Sequence, residues 1–184
     1  MRRIFLVLMA AGLFVSCKDK KEESAGNNAL VKDTTATAPP DYEFADAKYT
    51  AWGKQRLEQF QNGEMDRWAE QFAADAVYIW SAGDSLAGKK AILDYWRNRR
   101  QDVIQNIRFS NDIWLPIKIN KPQKGPDLPG VWLLSWYQVD VTYKTGQALT
   151  FWVHTDFHYN SKDQIDRAVQ YIDRAPINAA AGTK

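Results

Sequence analysis

The hydrophobic periods of this chain predict an α+β domain, with helices packed on one face of a curved antiparallel sheet. Three observations carry the prediction. Apolar residues recur at helical spacing from Tyr49 to Arg100 and at alternate positions from Ile104 to Arg174. Helices and strands are therefore segregated along the chain, which separates α+β from the alternating α/β pattern. Nearly all the tryptophan, tyrosine and phenylalanine lies beyond Asp41, so one stretch of ordinary single-domain length holds the core.

The N-terminus reads differently. Arg2 and Arg3 form a positive start, Ile4 to Phe14 an apolar run, and Val15-Ser16 leads into Cys17, the only cysteine. This is the layout of a secretory signal, residues 1–16, and the run is shorter than the roughly 20 residues of a permanent span. Leu13-Phe14-Val15-Ser16-Cys17 resembles a bacterial lipoprotein lipobox. The charged residues after Cys17 are similar to the export signals of Bacteroidota lipoproteins, and a generic solubilising linker accounts for them equally well. The lipobox resemblance implies lipidation at Cys17 and an outer-membrane lipoprotein of the cell envelope, anchored by acyl chains that each contribute about 0.8 kcal/mol per buried methylene. Residues 17–42 then form the lipidated cysteine and a disordered tether, since Lys18 to Pro40 offers only Leu30 and Val31 as sizeable apolar residues. A single cysteine excludes an internal disulfide. A net charge of +2 without a long lysine or arginine run excludes a nucleic-acid footprint.

Residues 43–178 are expected to fold, followed by a disordered tail, 179–184. Tyr49 to Gln61 reads as a helix with Tyr49, Trp52, Leu57 and Phe60 on its apolar side and Asn62-Gly63 as its stop. Glu64 to Phe72 gives a second helix, through Met65, Trp68, Ala69 and Phe72. Ala76 to Trp80 is a short strand before the turn Ser81 to Asp84. Lys89 to Arg100 is a third helix with Ile92, Tyr95 and Trp96 inward; Arg97, Arg99 and Arg100 form its solvated last turn. Ile104 to Ile119 supplies one or two strands, Val131 to Lys144 a long one, Gln147 to Asn160 another and Gln164 to Arg174 the last. Thr145-Gly146 and Ser161-Lys162-Asp163 are the hairpin turns. Between strands, Lys121 to Gly130 holds three prolines and two glycines and reads as an exposed flap.

The run Asn62-Gly63-Glu64-Met65-Asp66-Arg67-Trp68, the segment Phe72 to Val77, Gly88-Lys89-Lys90-Ala91-Ile92, and the strand pair His154 to Tyr159 with Gln164-Ile165 and Tyr171-Ile172-Asp173 resemble the nuclear transport factor 2-like superfamily, nearest its SnoaL-like branch. The resemblance implies a cone-shaped, cystatin-like sheet with a pocket in its mouth, often paired into a dimer through the sheet. Activity is not implied, because the superfamily includes isomerases, dehydratases, epoxide hydrolases, cyclases and pure binders. In the epoxide-hydrolase branch, Asp140 matches a catalytic aspartate, Gln138 replaces the arginine, Gln170 replaces the second aspartate, and Tyr78 and Trp80 stand at the water-holding pair. For ketosteroid isomerase, Arg56 falls near the oxyanion-hole tyrosine and Trp80 near the general base. The SnoaL cyclases fit best, with their catalytic aspartate at Asp156.

Strand alternation puts Trp152, His154, Asp156 and His158 on one face of one strand, and Trp132, Leu134, Trp136, Gln138 and Asp140 on one face of its neighbour. These faces mix rings with ionisable groups, as ligand pockets do; alternation alone allows them to meet solvent instead, and the resemblance favours the pocket. The candidate catalytic residues are Asp156, His154 and Asp140. The candidate ligand-binding residues are Tyr78, Trp80, Trp136, Gln138, Trp152, Gln170 and Arg56. Proton traffic between Asp156 and the imidazoles is the expected chemistry, the alternative being that Asp156 pairs with Arg167 or Arg56 as a structural ion pair. No metal site is expected, because His154 and His158 lie about 13 Å apart on a regular strand, and no cofactor is called for. Three functions remain: a small-molecule binding domain for an apolar or ring-shaped ligand; a cofactor-independent lyase, isomerase or cyclase using Asp156; and a dimeric scaffold domain in an envelope complex.

Overall fold

The computed structural model describes residues 38–124 and 127–183, so the expectations for the signal, for Cys17 and for most of the tether lie outside the described residues. A compact unit begins at Ala38. Its elements are β1 (Tyr42–Phe44), α1 (Lys48–Asn62), α2 (Met65–Glu70), β2 (Phe72–Trp80), β3 (Ser85–Ala87), α3 (Lys89–Asn98), a π-type turn (Arg99–Val103), β4 (Ile104–Ile119), β5 (Gly130–Tyr143), β6 (Ala148–Tyr159), β7 (Ile165–Tyr171) and α4 (Arg174–Ala181). The strands form one curved, unclosed seven-stranded sheet in the order β1-β4-β5-β6-β7-β2-β3. All neighbours are antiparallel except β2 and β7, which run parallel. The α+β class is as the hydrophobic periods predict.

Local chemistry explains the boundaries. Gly63 takes φ 77° after α1, and the amides of Gly63 and Glu64 return to the carbonyls of Phe60 and Gln59. That left-handed closure costs glycine nothing and any other residue a steric penalty. The second helix is shorter than its periodicity suggests, because Phe72 is already in β2, fully buried and paired with Ile165. A buried strand beside β7 overrides the helical spacing of Met65, Trp68 and Phe72. The segment 104–119 is a single strand bent by two irregularities, the second between Ser110 and Ile113, where Asn111 adopts φ 54°.

Two corrections concern the ends of the domain. Residues 179–181 are not a disordered tail. The last strand stops at Tyr171, the Asp173 carboxylate accepts from the Ala175 amide as an N-cap, and α4 buries Ile177, Ala180 and Ala181. At the other end, β1 pairs with Ile117, Lys118 and Ile119, so sheet structure begins at Tyr42. In the loop after β4, residues 121–124 are exposed as expected, but its end is fastened: Trp132 Nε1 donates to the Leu128 carbonyl and His158 Nε2 lies 3.1 Å from that of Pro129.

Helices α1, α2 and α3 cover the concave face. Gly53 of α1 lies so close to Trp114 of β4 and Leu133 of β5 that a Cβ there would overlap both. Inward side chains Leu133, Tyr137, Val139, Val141 and Tyr143 of β5, with Val153, Phe157 and Tyr159 of β6, join Phe60, Trp68, Phe72, Tyr78, Trp80 and Ile92 in one core.

Candidate functional site

The concave side of the sheet is not fully filled. A cavity of about 110 Å³ remains between α1, α3, α4 and the inner faces of β2 and β4 to β7. Trp68, Tyr78, Trp80, Tyr95, Trp96, Phe109, Tyr137 and Phe157 give it aromatic walls. Trp96 sits at the junction, with ring centroids of Phe60, Tyr78, Tyr95 and Trp80 at 5.6, 5.6, 5.2 and 6.4 Å. The half-exposed liners Tyr95, Arg99, Ile172, Arg174 and Asn178 place the opening beside α3 and α4.

Polar groups converge on this cavity from separate elements. Gln170 of β7 accepts from Trp80 Nε1 at 3.1 Å and reaches the Thr155 hydroxyl at 3.4 Å, which lies 3.1 Å from the Tyr137 hydroxyl. Arg56 of α1 is only 3% exposed, and its guanidinium carbon stands 3.6 Å over the Phe157 ring. Its Nη1 is shut from solvent without a hydrogen-bond partner among the described residues, as is Trp96 Nε1. Burial lowers the pKa of Arg56, against the opposing pull of the Tyr159, Tyr137 and Tyr78 hydroxyls, of which Tyr159 also lies close enough to the guanidinium to offer its oxygen. Arginine starts so high that it stays charged. Burial also pushes Tyr78, Tyr137 and Tyr159 up, so the phenols remain neutral and supply no counter-charge.

The expected catalytic set lies on the other face. Inward positions on β5 and β6 are the odd-numbered residues; Asp156, His154, Asp140, Trp136, Gln138 and Trp152 all project from the convex side, and the expectation that they share the pocket is overturned. His154 is sandwiched between Trp136 and Tyr171, with centroids at 4.4 and 5.3 Å, and its Nδ1 lies 3.0 Å from the Ser135 carbonyl. A carbonyl only accepts, so Nδ1 carries the proton. Asp156 Oδ1 is 3.0 Å from His154 Nε2, without the alignment of a hydrogen bond, and the contact is an ion pair only when the imidazole is protonated. Burial raises the Asp156 carboxyl and His154 opposes the rise. The partner is thus His154, not Arg167 or Arg56. Asp140 accepts from the Thr150 hydroxyl at 2.7 Å, Gln138 from Asn111, and Trp152 is 53% exposed. His158 is held by Asp166 at 2.5 Å and by the Pro129 carbonyl.

Of the named ligand-binding residues, Arg56, Tyr78, Trp80 and Gln170 come together in the cavity. Sequence reasoning missed Tyr137, Phe109, Arg99, Arg174 and Ile177. Arg99 is a correction: the π-type turn at the end of α3 swings it over Tyr95 and against the cavity. Arg97 pairs with Asp66, and Arg100 donates to the Phe60 and Gln61 carbonyls. A helix expected to run to Arg100 hides that swing.

No family model matches the chain, and no curated protein matches it. Solved structures do. A protein provisionally named a polyketide cyclase, from Xanthomonas campestris, aligns with a TM-score of 0.56 at 16% identity, covering 72% of this chain and 95% of its own. An NTF2-like protein of unknown function from Burkholderia pseudomallei gives 0.56 at 12%, with the same coverages. An LEH-like epoxide hydrolase from M. tuberculosis gives 0.51 at 14%, covering 72% and 95%. The fold is NTF2-like. At these identities the likeness concerns the fold alone, and in this NTF2-like sheet the inward residues at the compared positions are Tyr137, Val139 and Val141 on β5 and Thr155 and Phe157 on β6. Matching Gln138, Asp140 and Asp156 to catalytic positions places each of them one residue away from an inward side chain, and a one-residue shift exchanges the faces.

Proposed function

We propose that this chain is a lipid-anchored envelope protein whose NTF2-like domain binds one small apolar or ring-shaped molecule in the aromatic cavity. The observation that carries the binding reading is the inventory of the cavity wall. Among the described residues its titratable liners are Arg56, Arg99, Arg174, Tyr78, Tyr95, Tyr137 and Tyr143, with no carboxylate or imidazole. General acid–base catalysis near neutral pH needs a group that titrates there; burial moves Tyr78, Tyr137 and Tyr143 the wrong way. A lyase, isomerase or cyclase using Asp156 would have to work from the opposite side of the sheet. Thermal-shift and tryptophan-fluorescence titrations with single-ring compounds test the reading, since Trp80 and Trp96 line the cavity. Failure of Trp80→Ala to weaken a ligand bound by wild type would refute it.

The anchor rests on Arg2, Arg3, the apolar run and the solitary Cys17. Cys17→Ser is expected to move the protein out of the membrane fraction, and equal retention would refute lipidation. A second copy is the proposed cover for the convex face, which exposes Ile113, Trp152 and Tyr171 around the half-buried Trp136. Trp152→Glu should then lower the oligomeric mass measured by light scattering. A dimer of this kind would also serve a scaffold role in an envelope complex.

A further inference from the structure

We propose that the ligand of this cavity is a single-ring carboxylate whose carboxylate group docks on the Arg56 guanidinium. This rests on the ligand-binding reading above and specifies its chemical class. The charged liners are Arg56, Arg99 and Arg174, all cations. Arg174 is already committed, donating to both Asp84 oxygens at 2.7 and 3.0 Å. Arg56 has no carboxylate within ion-pair reach among the described residues, and it lies in the apolar interior where an unpaired charge is least tolerated. Among the described residues, the two buried polar atoms of the wall that lack a hydrogen bond, Arg56 Nη1 and Trp96 Nε1, are both donors, and the group that faces the guanidinium from β6 is the neutral Tyr159 hydroxyl. Its acceptors, Gln170, Asn178 and the tyrosine hydroxyls, are all neutral, so what the described wall lacks is a negative one.

Geometry and size narrow the class. Phe157 occupies one face of the guanidinium plane at 3.6 Å, which leaves the edge of the fork for an in-plane partner, the arrangement in which arginine binds a carboxylate. A cavity of about 110 Å³ is smaller than the ~150 Å³ engineered cavity that admits benzene, so it excludes a fused polycycle and takes a single-ring acid only with part of the molecule in the opening beside α3 and α4. A dianionic phosphate would carry more charge into apolar walls than one guanidinium offsets. Arg99 over Tyr95 near the opening adds positive potential along the entry path.

The test titrates the full-length chain at pH 7 with benzoate, benzamide and toluene, followed by tryptophan fluorescence and calorimetry. Wild type should bind benzoate at least about tenfold tighter than benzamide, the range of a charge-assisted hydrogen bond. Arg56→Met should keep toluene binding and lose that preference; Arg56→Lys should keep part of it, having the charge without the fork. Equal wild-type affinities for benzoate and benzamide, with toluene still bound, would overturn the carboxylate and leave the binding cavity standing. Persistence of the preference in Arg56→Met would overturn Arg56 as the anchor. If none of the three binds wild type, the cavity reading falls and the carboxylate with it. The wild-type comparison does not depend on either variant folding.

Discussion

Replacing Arg56 by methionine should make the ligand-free protein more stable. The guanidinium is 3% exposed, has no ion-pair partner among the described residues and leaves Nη1 unbonded. Exchanging a buried ionic group for an apolar side chain of similar length is often neutral or stabilising by about 1–4 kcal/mol. Two terms oppose the gain. The cation over Phe157 at 3.6 Å contributes about 2 kcal/mol when desolvated, and the slightly smaller methionine leaves a void of about 20 Å³, or about 0.5 kcal/mol. The balance runs from about −1.5 to +1.5 kcal/mol, and the missing hydrogen bond at Nη1 moves it upward by a further 1 kcal/mol or so. At roughly 2–4 °C per kcal/mol for a domain of this size, the expected melting temperature is unchanged or several degrees higher. Calorimetry on the purified chain without ligand measures it. A fall of more than about 8 °C would mean that Arg56 has a structural partner, and the inference of a charge held for a ligand would be wrong.

Three further substitutions test the packing and the electrostatics. Gly53→Ala should destabilise although alanine gains about 1 kcal/mol of helix propensity, because its Cβ would stand 2.9 Å from Leu133 Cδ2 and 2.8 Å from Trp114 Cε3; a raised denaturant midpoint would contradict the close approach. Gly130→Ala should lower the midpoint by roughly 1–3 kcal/mol of stability, since Gly130 has φ 124° and the new Cβ would lie 2.9 Å from His158 Nε2; wild-type stability would show that the His158 contact is not tight. Asp163 is held below the usual carboxylate range by Lys48, at 2.7 Å, and by the Tyr49 hydroxyl. Its contribution is present above the unfolded pKa near 4 and lost as pH falls through the lower folded value. The stability gap between wild type and Asp163→Asn should therefore close below about pH 4, and asparagine tolerates the φ of 59° at this turn; a gap independent of pH would exclude the ion pair.

Much of the fold was legible because each element has its own local signal. The apolar side of α1 and its Asn62-Gly63 stop, the turn at Thr145-Gly146 and the alternation of β5 and β6 are all properties of a few neighbouring residues. What escaped depends on partners distant in sequence. Phe72 looks helical beside Met65 and Trp68, and only its pairing with Ile165 makes it a strand residue. Arg99 reads as a solvated helix end unless the π-type turn is known. The terminal helix α4 is short and alanine-rich, and its burial of Ile177 and Ala180 exists only against the closed sheet.

The site was harder to read for a different reason. Alternation separates two faces but does not say which is concave, and the mixed face of β5 and β6 has the composition that a pocket is expected to show. In a curved sheet covered by helices, however, the concave face must first bury apolar surface, so its strands read as plain core: Tyr137, Val139, Val141, Val153 and Phe157. The polar groups of such a cavity then arrive singly, from other elements. Arg56 comes from α1, Trp80 from β2, Gln170 from β7, and Arg99 and Arg174 from either side of the opening. No single segment contains the constellation, so no segment-by-segment reading can display it. The convex face collects His154, Asp156, Trp136 and Tyr171 into a contiguous patch for the opposite reason: no helix among the described residues covers it, and stacking among its own rings is what shields them. A polar–aromatic strand face therefore marks the uncovered side here, and the cavity is found by asking which buried charge faces only neutral groups among the described residues.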